Sequence, residues 1–311
     1  MANQTSGTIN IPANRDALIG VIFALLAAVG FSAKAIFVKL AYLDSNVDAV
    51  TLLALRMAFS VPFFIGVAVW AGYRHAEPLN RHDRLLVLGL GLLGYYLSSL
   101  FDFIGLQYIT AGLERLILFL YPTMTVILTA LIFKRPPGRK TLAAIVLCYI
   151  GIAFVFWHET GARQGGNVVL GASLVFASTL TYSSYLVGAG HAIRRIGASR
   201  FTAYAMVVAS VASLLQFAVT HPVQALALPA RVYEFSLAMA IFSTVLPVFL
   251  LSYAIRRIGS GNASLIGAIG PVSTIYMAYL ILGEKLSAIQ IMGSALVLAG
   301  VLIVSLNGKK A

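Results

Sequence analysis

Apolar residues in this chain fall into long runs separated by short polar links. About 20 consecutive apolar residues cross the hydrocarbon of a bilayer as a helix. Ten such stretches are legible: 17–39, 49–71, 85–107, 111–133, 141–157, 168–189, 201–220, 235–255, 262–282 and 286–306. Tyr42, Trp70, Tyr73, Tyr108 and Trp157 fall near the ends of these stretches, where interfacial aromatics concentrate. The pattern predicts an all-α integral membrane protein with ten transmembrane helices. Short tails, 1–16 and 307–311, flank them.

A self-comparison at an offset of 149 residues, without a gap, adds a repeat. Gly112 meets Gly261, Pro122 meets Pro271, Thr125 meets Thr274, and Gly151 meets Gly300. Leu and Ile matches are cheap in membrane sequence, but Gly and Pro in fixed register are not. The chain therefore divides into residues 17–157 and 168–306, five stretches each. An odd number of spans inserts the second half in the opposite direction, so the halves are inverted repeats, a design recurrent in secondary transporters. Pro122 and Pro271 each lie about ten residues into a span, near the midplane at ~1.5 Å per residue. Proline removes a backbone donor and loosens its helix. Matched helix interruptions mark a transporter site; the plainer reading is a kink whose freed groups neighbouring helices satisfy.

Composition agrees, and charge sharpens the picture. Of 311 residues, 60% are hydrophobic and 10% charged, which excludes a soluble domain, at about 25% charged, and a disordered chain. The net charge of +12 invites a nucleic-acid reading, but the basic residues follow the links. With a cytoplasmic N-terminus, one side holds Arg15, Arg74, Arg81, Arg84, Lys134, Arg135, Arg139, Lys140, Arg194, Arg195, Arg200, Arg256, Arg257, Lys309 and Lys310. The other holds Lys39, Arg163, Arg231 and Lys285. This is the positive-inside pattern. It predicts both termini in the cytoplasm, a multi-pass protein of the cell's inner (plasma) membrane, and no nucleic-acid partner.

Five ionisable groups remain inside spans, all in the first half: Lys34, Arg56, Asp102, Glu114 and Arg115. Each costs roughly 2.5–3.5 kcal/mol at membrane depth unless paired or hydrated. Helical rise places them in one layer about 10 Å from the non-cytoplasmic end. Tyr95, Ser98, Ser99 and Asp102 form one polar stripe at helical spacing, and Tyr182, Ser273, Thr274 and Tyr276 add polar groups from other spans. The functional reading is a cavity between the halves. There Arg115, Arg56 or Lys34 holds an anionic group, and Asp102 or Glu114 holds an amine or a coupling proton. The structural alternative pairs Asp102 with Arg115, turns Glu114 toward Lys34 or Arg56, and lets Lys34 snorkel outward.

Other motifs carry less. Gly89-x-Gly91-x-x-Gly94 matches a dinucleotide fingerprint, but it lies in an apolar span and reads as helix packing. No Walker sequence, metal-ligand spacing or cofactor motif is present, so no metal or cofactor is expected. The single cysteine, Cys148, reads as a core residue.

Residues 263–304 also carry a resemblance. Pro271, Gly283-Glu284-Lys285, Gln290, Gly293 and Gly300-Val301 resemble the repeat of the EamA-type drug/metabolite transporter superfamily, as do Lys39 and Arg56 in the first two spans. The likeness covers about 17–306, with departures. Lys134-Arg135-Pro136-Pro137 stands where the first repeat would carry Gly-Glu, and Val29 and Gly30 stand in the region of the family's span-1 Trp. The resemblance implies secondary transport of a small metabolite, with export the expected direction. Combined with the charges, the expected function is alternating-access transport of an amino-acid-like compound or organic anion, coupled to protons or to nothing. An integral-membrane enzyme or a non-transporting scaffold is the alternative, and no catalytic cluster in the sequence supports the first.

Overall fold

The computed structural model describes residues 15–74, 78–134, 136–162, 167–285 and 287–307. Residues 1–14 and 308–311, with Lys309 and Lys310, and the predicted link residues Arg135 and Arg163 lie outside these. The described chain is helical, without a strand. In order come α1 (Arg15–Asp44), α2 (Ala49–Arg74), α3 (Arg81–Gly91), a π segment (Leu92–Leu97), α4 (Ser98–Gly105), α5 (Ala111–Leu118) and α6 (Tyr121–Phe133). Then follow α7 (Arg139–Ala162), α8 (Val168–Ile196), α9 (Ala198–Thr220), α10 (Ala230–Ala240), a π segment (Ile241–Val245), α11 (Leu246–Gly267), α12 (Ile269–Met277), a π segment (Ala278–Leu282) and α13 (Ala288–Asn307). Eight helical stretches are long and apolar enough to cross a membrane; Ile269–Leu282 and Ala288–Val304 are shorter apolar helices at the last two predicted positions.

The sequence repeat reappears as backbone geometry. The π segment at Leu92 and the π segment at Ile241 start in register at the offset of 149. The interruption at Phe119–Leu120 matches the one at Ala268. The left-handed caps at Lys134 (φ 54°) and Gly283 (φ 67°) also match. Gly283 adopts that conformation without a Cβ clash, whereas Lys134 bears a cost of roughly 1–2 kcal/mol. One element departs from the predicted boundaries. The link between the eighth and ninth stretches is helical throughout, within α11. Gly20 faces Arg257 and Ile258, Gly30 faces Phe242 and Pro247, and Ser32 bonds Gly270, so the chain folds back between 258 and 270. Sharp kinks concentrate at Gly/Ser pairs, and the sequence there is Gly259-Ser260-Gly261.

Small residues bring the helices together, as bilayer packing without a hydrophobic drive requires. α7 and α13 meet at Gly151 and Gly293: a Cβ on either would stand 2.7 or 2.6 Å from the other's carbonyl oxygen. Within the fingerprint-like run, Gly91 packs on the Ala205 backbone of α9 and Gly94 on Tyr185 of α8, while Gly89 faces open space. Gly151→Ala is expected to cost about 1–3 kcal/mol by overpacking against backbone that cannot yield. Thermal unfolding of the purified protein in detergent measures it, with Gly89→Ala as the unaffected control.

Ion pairs tie the links at each end. One end carries Asp48–His221 (3.3 Å), Asp44–Arg231 (3.5 Å) and Glu284; the other carries Asp83–Arg195 (3.3 Å). The first is called the acidic end below and the second the basic end. Trp157 at 80% and Tyr73 at 87% exposure project from the bundle near its ends. Asp48 caps α2, accepting from Val50 N (2.8 Å), Thr51 N (3.0 Å) and the Thr51 hydroxyl (2.5 Å). Burial works to raise its pKa, but the Thr51 bonds, His221 and Val50 together hold it below the usual value. A depressed carboxylate contributes stability above its unfolded pKa of about 3.9, lost as pH falls through the folded value. Asp48→Ala should therefore cost about 1 kcal/mol at neutral pH and less in strong acid, read from unfolding midpoints across that range.

Candidate functional site

The intramembrane charges meet: Glu114 faces Lys34 as one reading expected, whereas Asp102 pairs with Lys34 and not with Arg115. Lys34 projects from α1 between the carboxylates of Asp102 on α4 and Glu114 on α5. Its Nζ lies 2.5 Å from Asp102 Oδ2 and 3.4 Å from Glu114 Oε1. Both acids are buried, at 2% and 0% exposure. Lys34 therefore turns inward instead of snorkelling, and Asp102 pairs with it instead of Arg115. Depth was readable from helical rise; rotation was not. Glu114 and Arg115 are adjacent on α5 and point about 100° apart, so only one of them can face Lys34.

Neither arginine makes a close ion pair among the described residues, although Arg56 lies within electrostatic range of Asp102 and Arg115 of Glu114. Arg56, buried on α2, donates from Nε to Thr244 Oγ1 at 3.1 Å and lies over the Phe103 ring, 5.4 Å from its centroid. Its Nη1 is buried with no partner. Thr244 belongs to the π segment Ile241–Val245, and its hydroxyl donates to the Met239 carbonyl five residues back. π segments often occur at functional sites. Arg115 makes no ion pair among the described residues, and its Nε is buried without a partner. Its Nη2 rests on Gly270, where a Cβ would stand 2.7 Å away, with Ser32 Oγ beside it. Its charge reaches the Tyr121 and Tyr182 hydroxyls.

The helix interruptions lie against this layer. Ser32 on α1 donates to the Gly270 carbonyl just before Pro271 (2.9 Å), and Thr274 donates to the Ser32 carbonyl (3.2 Å). In the other repeat Ser183 on α8 donates to the Tyr121 carbonyl just before Pro122, and Thr179 to the Ile117 carbonyl, both at 3.2 Å. The first helix of each repeat thus serves the broken helix of the other. Hydroxyls from the facing repeat thus reach carbonyls beside both prolines.

A polar aromatic cluster adjoins Arg115. Tyr95 and Tyr185 share a hydroxyl–hydroxyl bond of 2.9 Å; Tyr182 stacks on Tyr185, and Tyr121 meets Tyr182 edge-on. Ser98 bonds Ser178 at 3.1 Å. Tyr95, Ser98 and Tyr182 therefore converge with Tyr185, a polar group of the same span as Tyr182, and Tyr121 joins as a member the sequence did not single out. Tyr185 packs so closely that a Cβ on Gly94 would stand 2.2 Å from it, a contact no spacing rule reveals. Ser99 and Ser273 are part-buried. Tyr276 belongs elsewhere: it is 60% exposed in one stripe with Val272 and Leu280, the outward face of its helix.

A model of the EamA-like transporter family matches residues 18–157 and 169–306. The chain is 32% identical to the uncharacterized transporter YcbK of Bacillus subtilis over 286 residues, 90% of each protein. It is 27% identical to the uncharacterized transporter sll1319 of Synechocystis over 302 residues, covering 90% of this chain and 91% of that protein. A solved crystal structure superposes with a TM-score of 0.63 at 18% identity, over 94% of this chain and 98% of the other, which shows a shared fold.

Proposed function

The chain belongs to the EamA-like transporter family, and on that premise we propose a secondary-active exporter of a small organic anion or amino-acid-like compound. It is a membrane transporter; its substrate, direction and coupling are our reading. The observation that carries the reading is the imbalance of the buried layer. Lys34 is shared by Asp102 and Glu114, while Arg56 and Arg115 make no close ion pair among the described residues and each keeps a buried nitrogen without a partner. A substrate carboxylate against Arg115 completes that layer, because a guanidinium presents paired donors matched to a carboxylate. Tyr182, Tyr95 and Ser98 line the same region and supply further hydrogen bonds. The triad serves the coupling. Two buried carboxylates sharing one ammonium are the groups we assign to ion coupling.

Ten helices in two inverted five-helix repeats alternate access to this layer. The basic end faces the cytoplasm, with both termini, by the positive-inside rule. A panel of amino acids, nucleosides and organic anions tested for stabilisation of purified protein finds the ligand: at a hundred times Kd, binding adds about 2.7 kcal/mol. Flux of that ligand into sealed proteoliposomes, with and without a pH gradient, then tests transport. Binding without flux in a folded protein would falsify the carrier reading.

A further inference from the structure

At the acidic end, a side chain of the second repeat holds a helix of the first. α5 begins afresh after the turn 106–110, so its first N–H groups need acceptors from outside the helix. Glu284, presented by the left-handed cap at Gly283, supplies two: Oε1 accepts from Ala111 N at 2.9 Å and Oε2 from Gly112 N at 3.3 Å. Thr110 accepts from Leu113 N at 3.1 Å, and its hydroxyl donates to Glu159 of α7. Gly112 lets the second repeat approach, since a Cβ there would meet Gln290 Nε2 at 2.9 Å. The same eight-residue helix carries Glu114 and Arg115.

The inverted repeat should place a matching clasp at the basic end, and the sequence removes its acceptor. Position 135, in register with Glu284, is Arg by sequence and has no oxygen to accept with. Positions 260 and 261, in register with Ala111 and Gly112, are Ser and Gly at the bend where the chain folds back within α11. The carboxylate acceptor of this register position is therefore present at one end only.

We propose that Glu284 is the gate residue of the acidic end, a positioning residue that holds α5 and its Glu114–Arg115 pair closed against the second repeat. Release of α5 opens the charge layer to that side, and the one-sided clasp biases the resting carrier toward closure there. This rests on the transporter reading of the same site, but its test does not need a substrate.

In a Cys148→Ser background, spin labels at Gln107→Cys and Ile289→Cys span the acidic end, and labels at His82→Cys and Arg256→Cys span the basic end. All four positions are exposed. Distances are read by pulsed electron resonance in nanodiscs. Glu284→Ala is expected to add a population about 5 Å longer, one helical turn, at the acidic end, with a shorter population at the basic end. Glu284→Gln, which keeps one acceptor oxygen and the shape, should give a smaller shift of the same sense. Unchanged distances in both variants, or loosening of the acidic end without movement of the basic end, overturn the gate. Flux is measured separately: moved distances with no flux for any ligand leave the gate standing and remove the transporter reading.

Discussion

Replacing Lys34 with methionine is expected to destabilise the folded protein by about 3–5 kcal/mol, the usual cost of removing one partner from a buried ion pair. Methionine fills much of the same volume, so the loss is electrostatic and not a cavity effect. Asp102 and Glu114 remain at 2% and 0% exposure with no cation at ion-pair distance among the described residues. Arg56 cannot replace Lys34, because it is committed to Thr244 and Phe103, and Arg115 is turned toward Gly270. Neutralising the whole triad at once is a different matter. Replacing an entire buried ionic group by neutral residues of similar size is often tolerated, so Lys34→Met with Asp102→Asn and Glu114→Gln should recover most of the loss. Unfolding midpoints in detergent give both numbers. A Lys34→Met protein within 1 kcal/mol of the parent, a tolerance set well below that cost, would mean the triad is not ionic.

How much of this was legible beforehand follows from what one dimension encodes. Apolar run length gave the helices, the Gly and Pro register gave the repeat, and helical rise put Lys34, Asp102 and Glu114 at one depth. Side-chain direction around each axis was only partly encoded. The stripe Tyr95, Ser98, Asp102 held because it rests on several residues of one helix; Tyr276, placed by residue type alone, faces outward. Each π segment inserts an extra residue into a turn and shifts the phase of all that follows, and nothing local announces it at Leu92 or Ile241. Tyr121 and Tyr185 join the site only through contacts between helices distant in sequence. Glu284 was visible as part of a family motif, but its role depended on knowing that α5 starts afresh within its reach.

Arg115→Gln is expected to weaken substrate binding by about 10- to 100-fold while leaving the unfolding midpoint nearly unchanged. A charge-assisted hydrogen bond contributes roughly 1.5–3 kcal/mol, and tenfold is about 1.4 kcal/mol. The fold loses little because Arg115 makes no ion pair among the described residues and its Nε has no partner; what it would lose is the ligand's. Arg115→Lys should not restore affinity, since an ammonium lacks the planar fork that grips a carboxylate. Gly270 gives a second route to the same result. A Cβ there would stand 2.7 Å from Nη2, and Nη2 ends a flexible side chain, so the guanidinium moves and the backbone does not. Gly270→Ala should therefore keep the protein's stability and reproduce a large part of the Arg115→Gln defect in ligand affinity and flux. Loss of function in both, with intact unfolding midpoints, locates the anion at that guanidinium. Parental affinity in Arg115→Gln moves the binding site elsewhere, with Arg56 and its unpartnered Nη1 the next group to substitute.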